Sequence, residues 1–133
     1  MPSRFRYVIW IGYWIGLFVI MHRPMDVVGE LPFPEADKII HFVLYSLLAL
    51  LGTWCFRGAR GDLTTRFLIG WAVIYVIYGA ADEWLQSYVQ RTASVGDWLA
   101  DVCGIAAATA LAALWQRRMS GPTAASRTEP EST

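Results

Sequence analysis

The stretch Asp37-Lys38-Ile39-Ile40-His41-Phe42-Val43-Leu44-Tyr45-Ser46-Leu47-Leu48-Ala49-Leu50-Leu51-Gly52-Thr53-Trp54-Cys55-Phe56 decides the fold. From Ile39 onward it is apolar over nearly the length a bilayer span requires, about 20 residues of helix. Its charged and titratable residues, Asp37, Lys38 and His41, stand together at the beginning. Three further runs, 7–21, 67–81 and 98–115, share this character. The first and third are short for a span and lengthen when their flanks join them, the third continuing through Asp82 to Tyr88. The expectation is an all-α, multi-pass membrane protein with four transmembrane helices in a compact bundle, at 7–23, 37–56, 66–88 and 96–117. These form one domain over 1–118. Residues 119–133, rich in Ser, Thr, Pro, Ala and Glu, are expected to be a disordered cytoplasmic tail.

Composition agrees. Of the 133 residues 56% are hydrophobic and 17% charged, below the quarter usual in soluble domains. Many of the seven Trp fall near the ends of the runs (Trp10, Trp54, Trp84, Trp98, Trp115), where amphipathic rings favour the headgroup zone. The net charge is zero, and without a basic stripe a nucleic-acid partner is not expected. Membrane lipid is the expected surrounding.

Basic residues sort by loop. Arg4 and Arg6 precede the first run; Arg57, Arg60 and Arg66 lie between the second and third; Arg117, Arg118 and Arg127 follow the fourth. The other two connections hold Arg23, Lys38 and Arg91, together with Asp26, Glu30, Glu35, Asp37, Asp82, Glu83 and Asp97. The positive-inside rule therefore places both termini in the cytoplasm and the acidic connections outside. Arg4 and Arg6 ahead of an apolar run also suit a secretory signal. No small-residue cleavage site follows, since the run ends in Met21-His22-Arg23-Pro24, and it reads as a retained helix.

Cys55 and Cys103 fall at opposite ends of their helices, roughly 15 Å apart in depth at about 1.5 Å rise per residue. That exceeds disulfide reach, and both read as packed thiols. Gly12-x-x-x-Gly16 and the stripe Gly104, Ala108, Ala112 are close-packing faces. Packing within the chain is the first expectation for both, and a homodimer through Gly12 and Gly16 the second. Ser94-Val95-Gly96-Asp97 has the form of a capping box, with Ser94 as N-cap of the fourth helix.

The polar residues make three short groups near the same ends of helices two, three and four. Asp37 and His41, four apart, share a face, with Lys38 turned aside by about 100°. Asp82, Glu83 and Gln86 occupy one turn. Arg91 precedes Asp97 and Asp101. A charge at membrane depth costs about 2.5–3.5 kcal/mol even on the lenient insertion scale, so this grouping is the candidate site: Asp37, Lys38, His41, Glu83, Gln86, Arg91, Asp97 and Asp101. It also admits a purely structural reading, with Glu83 paired to Lys38 or Arg91 and Asp97 a simple cap. His41, Glu83, Asp97 and Asp101 would suit a cation. No diagnostic spacing such as H-E-x-x-H is present, and Lys38 and Arg91 would repel a metal ion, so neither metal nor cofactor is expected. His22 reads as an interfacial loop residue.

Together, Asp37-Lys38-x-x-His41-Phe42-x-x-Tyr45, Tyr78-Gly79-x-x-x-Glu83-x-x-Gln86 and Arg91-x-x-Ser94-x-x-Asp97, with Gly104 behind, resemble the VanZ-like family. The resemblance covers roughly 37–108. It implies a multi-pass protein of the bacterial cytoplasmic membrane, in a family whose namesake is linked to resistance against the lipoglycopeptide teicoplanin. Asp101 stands where that family usually has Asn, and Ala108 where it has a second Gly.

Two functions compete. In the first, the outer polar site binds an amphiphile such as a lipid headgroup, a cell-wall precursor or a lipoglycopeptide. Lys38 and Arg91 would attract phosphate or carboxylate, and Trp84, Tyr88 and Trp98 would contact the apolar part. In the second, a membrane-embedded enzyme acts on a lipid-linked substrate with Glu83 as general base and His41 as proton shuttle. Binding is favoured over catalysis. A structural partner in an envelope complex is a third possibility, for which Gly12 and Gly16 would matter more than the polar cluster.

Overall fold

Each apolar run folds as one helix. In a computed structural model describing residues 3–23, 33, 35–60, 62–89 and 94–119, these are α1 (Ser3–Met21), α2 (Ala36–Arg60), α3 (Thr65–Gln86) and α4 (Val95–Met119). Their limits fall within about one helical turn of those read from sequence. The expected tail and Arg91 lie outside the described residues, as does most of the first connection.

Local chemistry sets the ends. Thr64, in extended conformation, accepts a hydrogen bond on Oγ1 from the Phe67 backbone N–H and so caps α3. Asp37 and Asp97 sit in the first turns of α2 and α4, and Arg57, Arg60, Arg117 and Arg118 in their last turns. Both placements oppose the helix dipole.

All four helices are long and apolar enough to span a membrane, and between 17% and 39% of each span is buried within the protein. The distribution is inverted relative to a water-soluble bundle. Ile15, Val73, Ile77 and Leu114 are more than half exposed, while His41, Asp82, Gln86 and Asp101 are among the most deeply buried side chains. Such an apolar exterior requires lipid, and the chain is a multi-pass membrane protein.

In lipid, helices associate through close packing rather than hydrophobic transfer. The broadest interface joins α2 to α4, and Gly104 explains it. A Cβ at this position would collide with the Phe42 carbonyl oxygen and stand 2.8 Å from Ser46 Oγ. Ala108 and Ala112 continue the buried stripe. The other glycine pair behaves differently: a Cβ on Gly12 or Gly16 would meet nothing within 4 Å. Packing within the chain, the first expectation for this pair, is thus not what the fold uses.

Helix α1 lies against α2 and α3 and, among the described residues, makes no interface with α4. Tyr13 fastens it by donating from its hydroxyl to the Leu44 carbonyl at 2.8 Å. Its inner face joins an aromatic cluster in which the Trp10 ring lies 5.1 Å from Phe56 and 5.4 Å from Trp71. Trp10 is therefore a core residue rather than part of an interfacial belt, whereas Trp84 and Trp115 are well exposed. Cys55 is buried as expected, Cys103 is exposed, and both are free thiols.

The chain directions put the amino-terminal end of α1 beside the carboxy-terminal end of α2. Arg6 there donates to the Trp54 carbonyl at 3.2 Å, with its guanidinium 4.8 Å from the Trp54 ring centroid. This basic end also holds Arg57, paired with Asp62 at 3.1 Å. The other end of the bundle is the acidic one.

Candidate functional site

At the acidic end the beginnings of α2 and α4 meet the end of α3, and side chains from all three turn inward. His41 is wholly buried on α2, and its Nδ1 lies 3.0 Å from Asp101 Oδ1 on α4 and 3.6 Å from Glu83 Oε1 on α3. Gly79 makes room for this arrangement, since a Cβ there would stand 3.2 Å from Asp101 Oδ2.

A second knot forms on Asp82, which is 1% exposed. Its Oδ2 accepts hydrogen bonds from the Tyr45 hydroxyl at 3.1 Å and from Gln86 Nε2 at 3.2 Å. His22, just beyond α1, approaches Oδ1 with its Nδ1 at 3.6 Å, while the same nitrogen lies 2.8 Å from the Phe18 carbonyl. The shorter contact is the hydrogen bond, and the longer one is a charge interaction available when His22 is protonated. His22 thus borders the network instead of standing apart in a loop.

The start of α4 carries a modified capping box. Ser94 is the N-cap as expected, accepting on Oγ from the Gly96 N–H at 3.2 Å. The reciprocal bond to the Ser94 N–H comes from Glu83 Oε2 at 2.9 Å, in place of Asp97. One carboxylate of α3 therefore anchors α4 and faces His41. Asp97 is left 6% exposed with its Oδ1 lacking a hydrogen-bond partner among the described residues.

Of the residues expected from sequence, the structure brings together His41, Glu83, Gln86, Asp97 and Asp101, with Asp37 at the edge. Lys38 is not among them. Its Nζ pairs with Glu35 Oε2 at 2.8 Å, both side chains substantially exposed, and its stem runs over Gly96. The pairing of Glu83 with Lys38 is not made. Asp82 and Tyr45, which sequence reasoning left outside the site, are central to it. The signal for Tyr45 was available in its spacing, one turn beyond His41 on the same face.

Among the described residues, two sets of side chains have metal-ligand proximity. His41, Glu83 and Asp101 each offer a donor atom within 4.8 Å of the others, and so do Asp37, His41 and Asp97.

A cleft of about 240 Å³ opens beside this network, lined by Ala80, Glu83, Trp84, Ser94, Val95 and Trp98. Larger crevices of about 350–370 Å³ lie elsewhere between the helices. That between α3 and α4 is lined almost wholly by apolar residues such as Leu68, Val73 and Ile105, and acyl chains would fill it. Through the smaller cleft one of the buried acids, Glu83, reaches the surface.

Fold and site together define a four-helix membrane protein with a charged network enclosed at one end. No protein-family model and no solved structure matches the chain. It is 33% identical over 103 residues to an uncharacterized protein of Schizosaccharomyces pombe, across 77% of this chain and 62% of the fungal protein. The chain thus spans less than two thirds of that relative's length.

Proposed function

We propose that the protein is a VanZ-like membrane protein that binds a phosphate-bearing amphiphile, a lipid or a lipid-linked cell-wall precursor, at its acidic end. The observation that carries this reading is the cleft beside Glu83, flanked by Trp84 and Trp98. At about 240 Å³ it falls below the usual range for a drug-sized ligand and suits a headgroup whose acyl chains remain in the bilayer. The exposed Trp84 ring offers an amphipathic surface to the boundary of that ligand. Lys38, whose stem lies over Gly96, and Arg91, by its place in the sequence, supply the cations a phosphate requires.

The family assignment rests on the three sequence motifs, and a link to glycopeptide resistance rests on that resemblance alone. Orientation in a bacterial cytoplasmic membrane, both termini inside, is favoured by the gathering of Arg6, Arg57, Arg60, Arg117 and Arg118 at the end opposite the acids.

Native mass spectrometry of the purified chain with phosphatidylglycerol and a polyprenyl phosphate tests the reading. One tightly retained lipid is expected, with retention falling roughly tenfold in Trp98→Ala and in Arg91→Ala. Equal retention in wild type and Trp98→Ala would move the ligand out of this cleft, and unchanged binding in Arg91→Ala would remove Arg91 from the site.

A second reading, an enzyme acting on a lipid-linked substrate, is favoured by one feature. Glu83 lines the cleft while its Oε1 faces His41 without a hydrogen-bond partner among the described residues. It predicts turnover of a lipid-linked phosphate ester that Glu83→Gln eliminates. Product formation undiminished in that variant would reject Glu83 as base.

A further inference from the structure

The acids enclosed here outnumber the cations. Asp82, Glu83, Asp97 and Asp101 are each more than nine-tenths buried, and the described basic groups in ion-pair contact with Asp82, Glu83 and Asp101 are the two imidazoles, His41 and His22. Lys38 points to Glu35 instead. Lys38 is expected to repel a cation, but its stem lies over Gly96 beside Asp97 and its ammonium is engaged by Glu35, away from His41, Glu83 and Asp101.

We infer that His41, Glu83 and Asp101 form a binding site for a divalent transition-metal ion, of the Zn²⁺ or Mn²⁺ class. Three observations converge on it. The donor atoms come from three helices and lie within 4.8 Å of one another. Two of their separations, 3.0 and 3.6 Å from His41 Nδ1, bracket the roughly 3.3 Å between neighbouring ligands of a tetrahedral ion bound at about 2.0–2.1 Å. Independently, Glu83 Oε1, the oxygen that faces His41, has no hydrogen-bond partner among the described residues, on a residue only 6% exposed. Buried carboxylate oxygens of this kind are otherwise very unfavourable.

The donor set selects the ion. One imidazole with two carboxylates suits borderline metals. Neither thiol belongs to the set, which disfavours soft ions. Two carboxylates balance the charge of a divalent ion, and binding displaces the proton that His41 Nδ1 otherwise shares with Asp101. The alternative set of Asp37, His41 and Asp97 is less enclosed, Asp37 being only partly buried. Three protein ligands leave a coordination position open. Glu83 belongs to both the metal set and the cleft, so a phosphate oxygen of the ligand proposed above would take that position. This last clause rests on that reading; the metal site does not.

The test uses the full chain in detergent, treated with a chelator, reloaded with Zn²⁺ or Mn²⁺, freed of excess ion and analysed for metal content. One ion per chain is expected. Asp101→Asn and Glu83→Gln should each weaken binding at least about tenfold, with helical content retained by circular dichroism. Co²⁺ loading supplies a second readout, an intense visible absorption from a four-coordinate site, which also decides the matter should a variant fail to fold. Folded wild type that takes up no metal would overturn the proposal and leave protons shared among the acids. Stoichiometric binding unchanged in both variants, or Co²⁺ showing only the weak spectrum of the hydrated ion, would overturn it equally. Loss of lipid retention with metal retained would sink the proposed function and leave the metal site standing.

Discussion

His41 Nδ1 and Asp101 Oδ1 lie 3.0 Å apart across sixty positions of sequence, joining α2 to α4 where both are buried. Removing one partner of this buried pair leaves the other unsatisfied, a loss of about 1–3 kcal/mol on top of the bond itself. Asp101→Leu should therefore destabilise the protein strongly. Asp101→Asn keeps a carbonyl oxygen able to accept from His41 Nδ1–H, and its loss should be about 1 kcal/mol. Unfolding of the three proteins in one detergent–lipid mixture, without added metal, measures the difference. Equal losses would show that the bond does not organise the interface.

Tyr45 and Gln86 both donate to Asp82 Oδ2, so each partly compensates for the other. Tyr45→Phe removes a hydrogen bond to a buried carboxylate and should lose about 1.5–3 kcal/mol. In a double-mutant cycle with Gln86→Leu the two changes should not add, because the second leaves Asp82 without either donor. Additive losses would mean that the two residues act independently.

The four helices were legible because bilayer-length apolar runs admit few other folds, and the polar group was legible because charges in such runs are rare. The inward faces were harder to read. In a soluble bundle, periodic polarity identifies the core face; here lipid-facing and core-facing positions are both apolar, and Ile15 and Leu17 differ only in what surrounds them. This is why Tyr45 and Trp10 do not declare themselves core residues in the sequence, whereas Asp82 stands out there as a charge beside Glu83 and only the structure shows it turned into the network. Gln116 was missed for another reason. It is buried at the basic end and accepts on Oε1 from the Leu63 N–H at 2.7 Å, a partner fifty-three positions away that no local pattern announces.

The two glycine motifs should respond oppositely to the same substitution. Gly104→Ala drives a methyl group into the Phe42 carbonyl and Ser46, and α2 must move away at a cost of about 1–3 kcal/mol. Gly12→Ala and Gly16→Ala add a methyl where nothing stands within 4 Å, and the better helix propensity of Ala should leave stability unchanged or raised by up to about 1 kcal/mol. If the open pair serves a homodimer, replacement of both by Leu should yield monomers in cross-linking while the single chain stays folded. Cross-linking as strong as wild type would exclude that face.

Glu83 separates folding from chemistry because its two oxygens have different tasks. Oε2 accepts from the Ser94 N–H and completes the cap of α4; Oε1 faces His41. In Glu83→Gln the amide oxygen can take the Ser94 bond, so the variant should unfold within about 1 kcal/mol of wild type. Glu83→Ala loses that acceptor, and the start of α4 should weaken by about 0.5–2 kcal/mol, the range for losing an N-cap bond. Hydrogen exchange over 94–98 should rise in the alanine variant and stay near wild type in the glutamine variant. Faster exchange in both would mean that the ionised carboxylate itself holds the cap. In that event Glu83→Gln could no longer report on ligand or metal binding alone, and Asp101→Asn would be the variant to use.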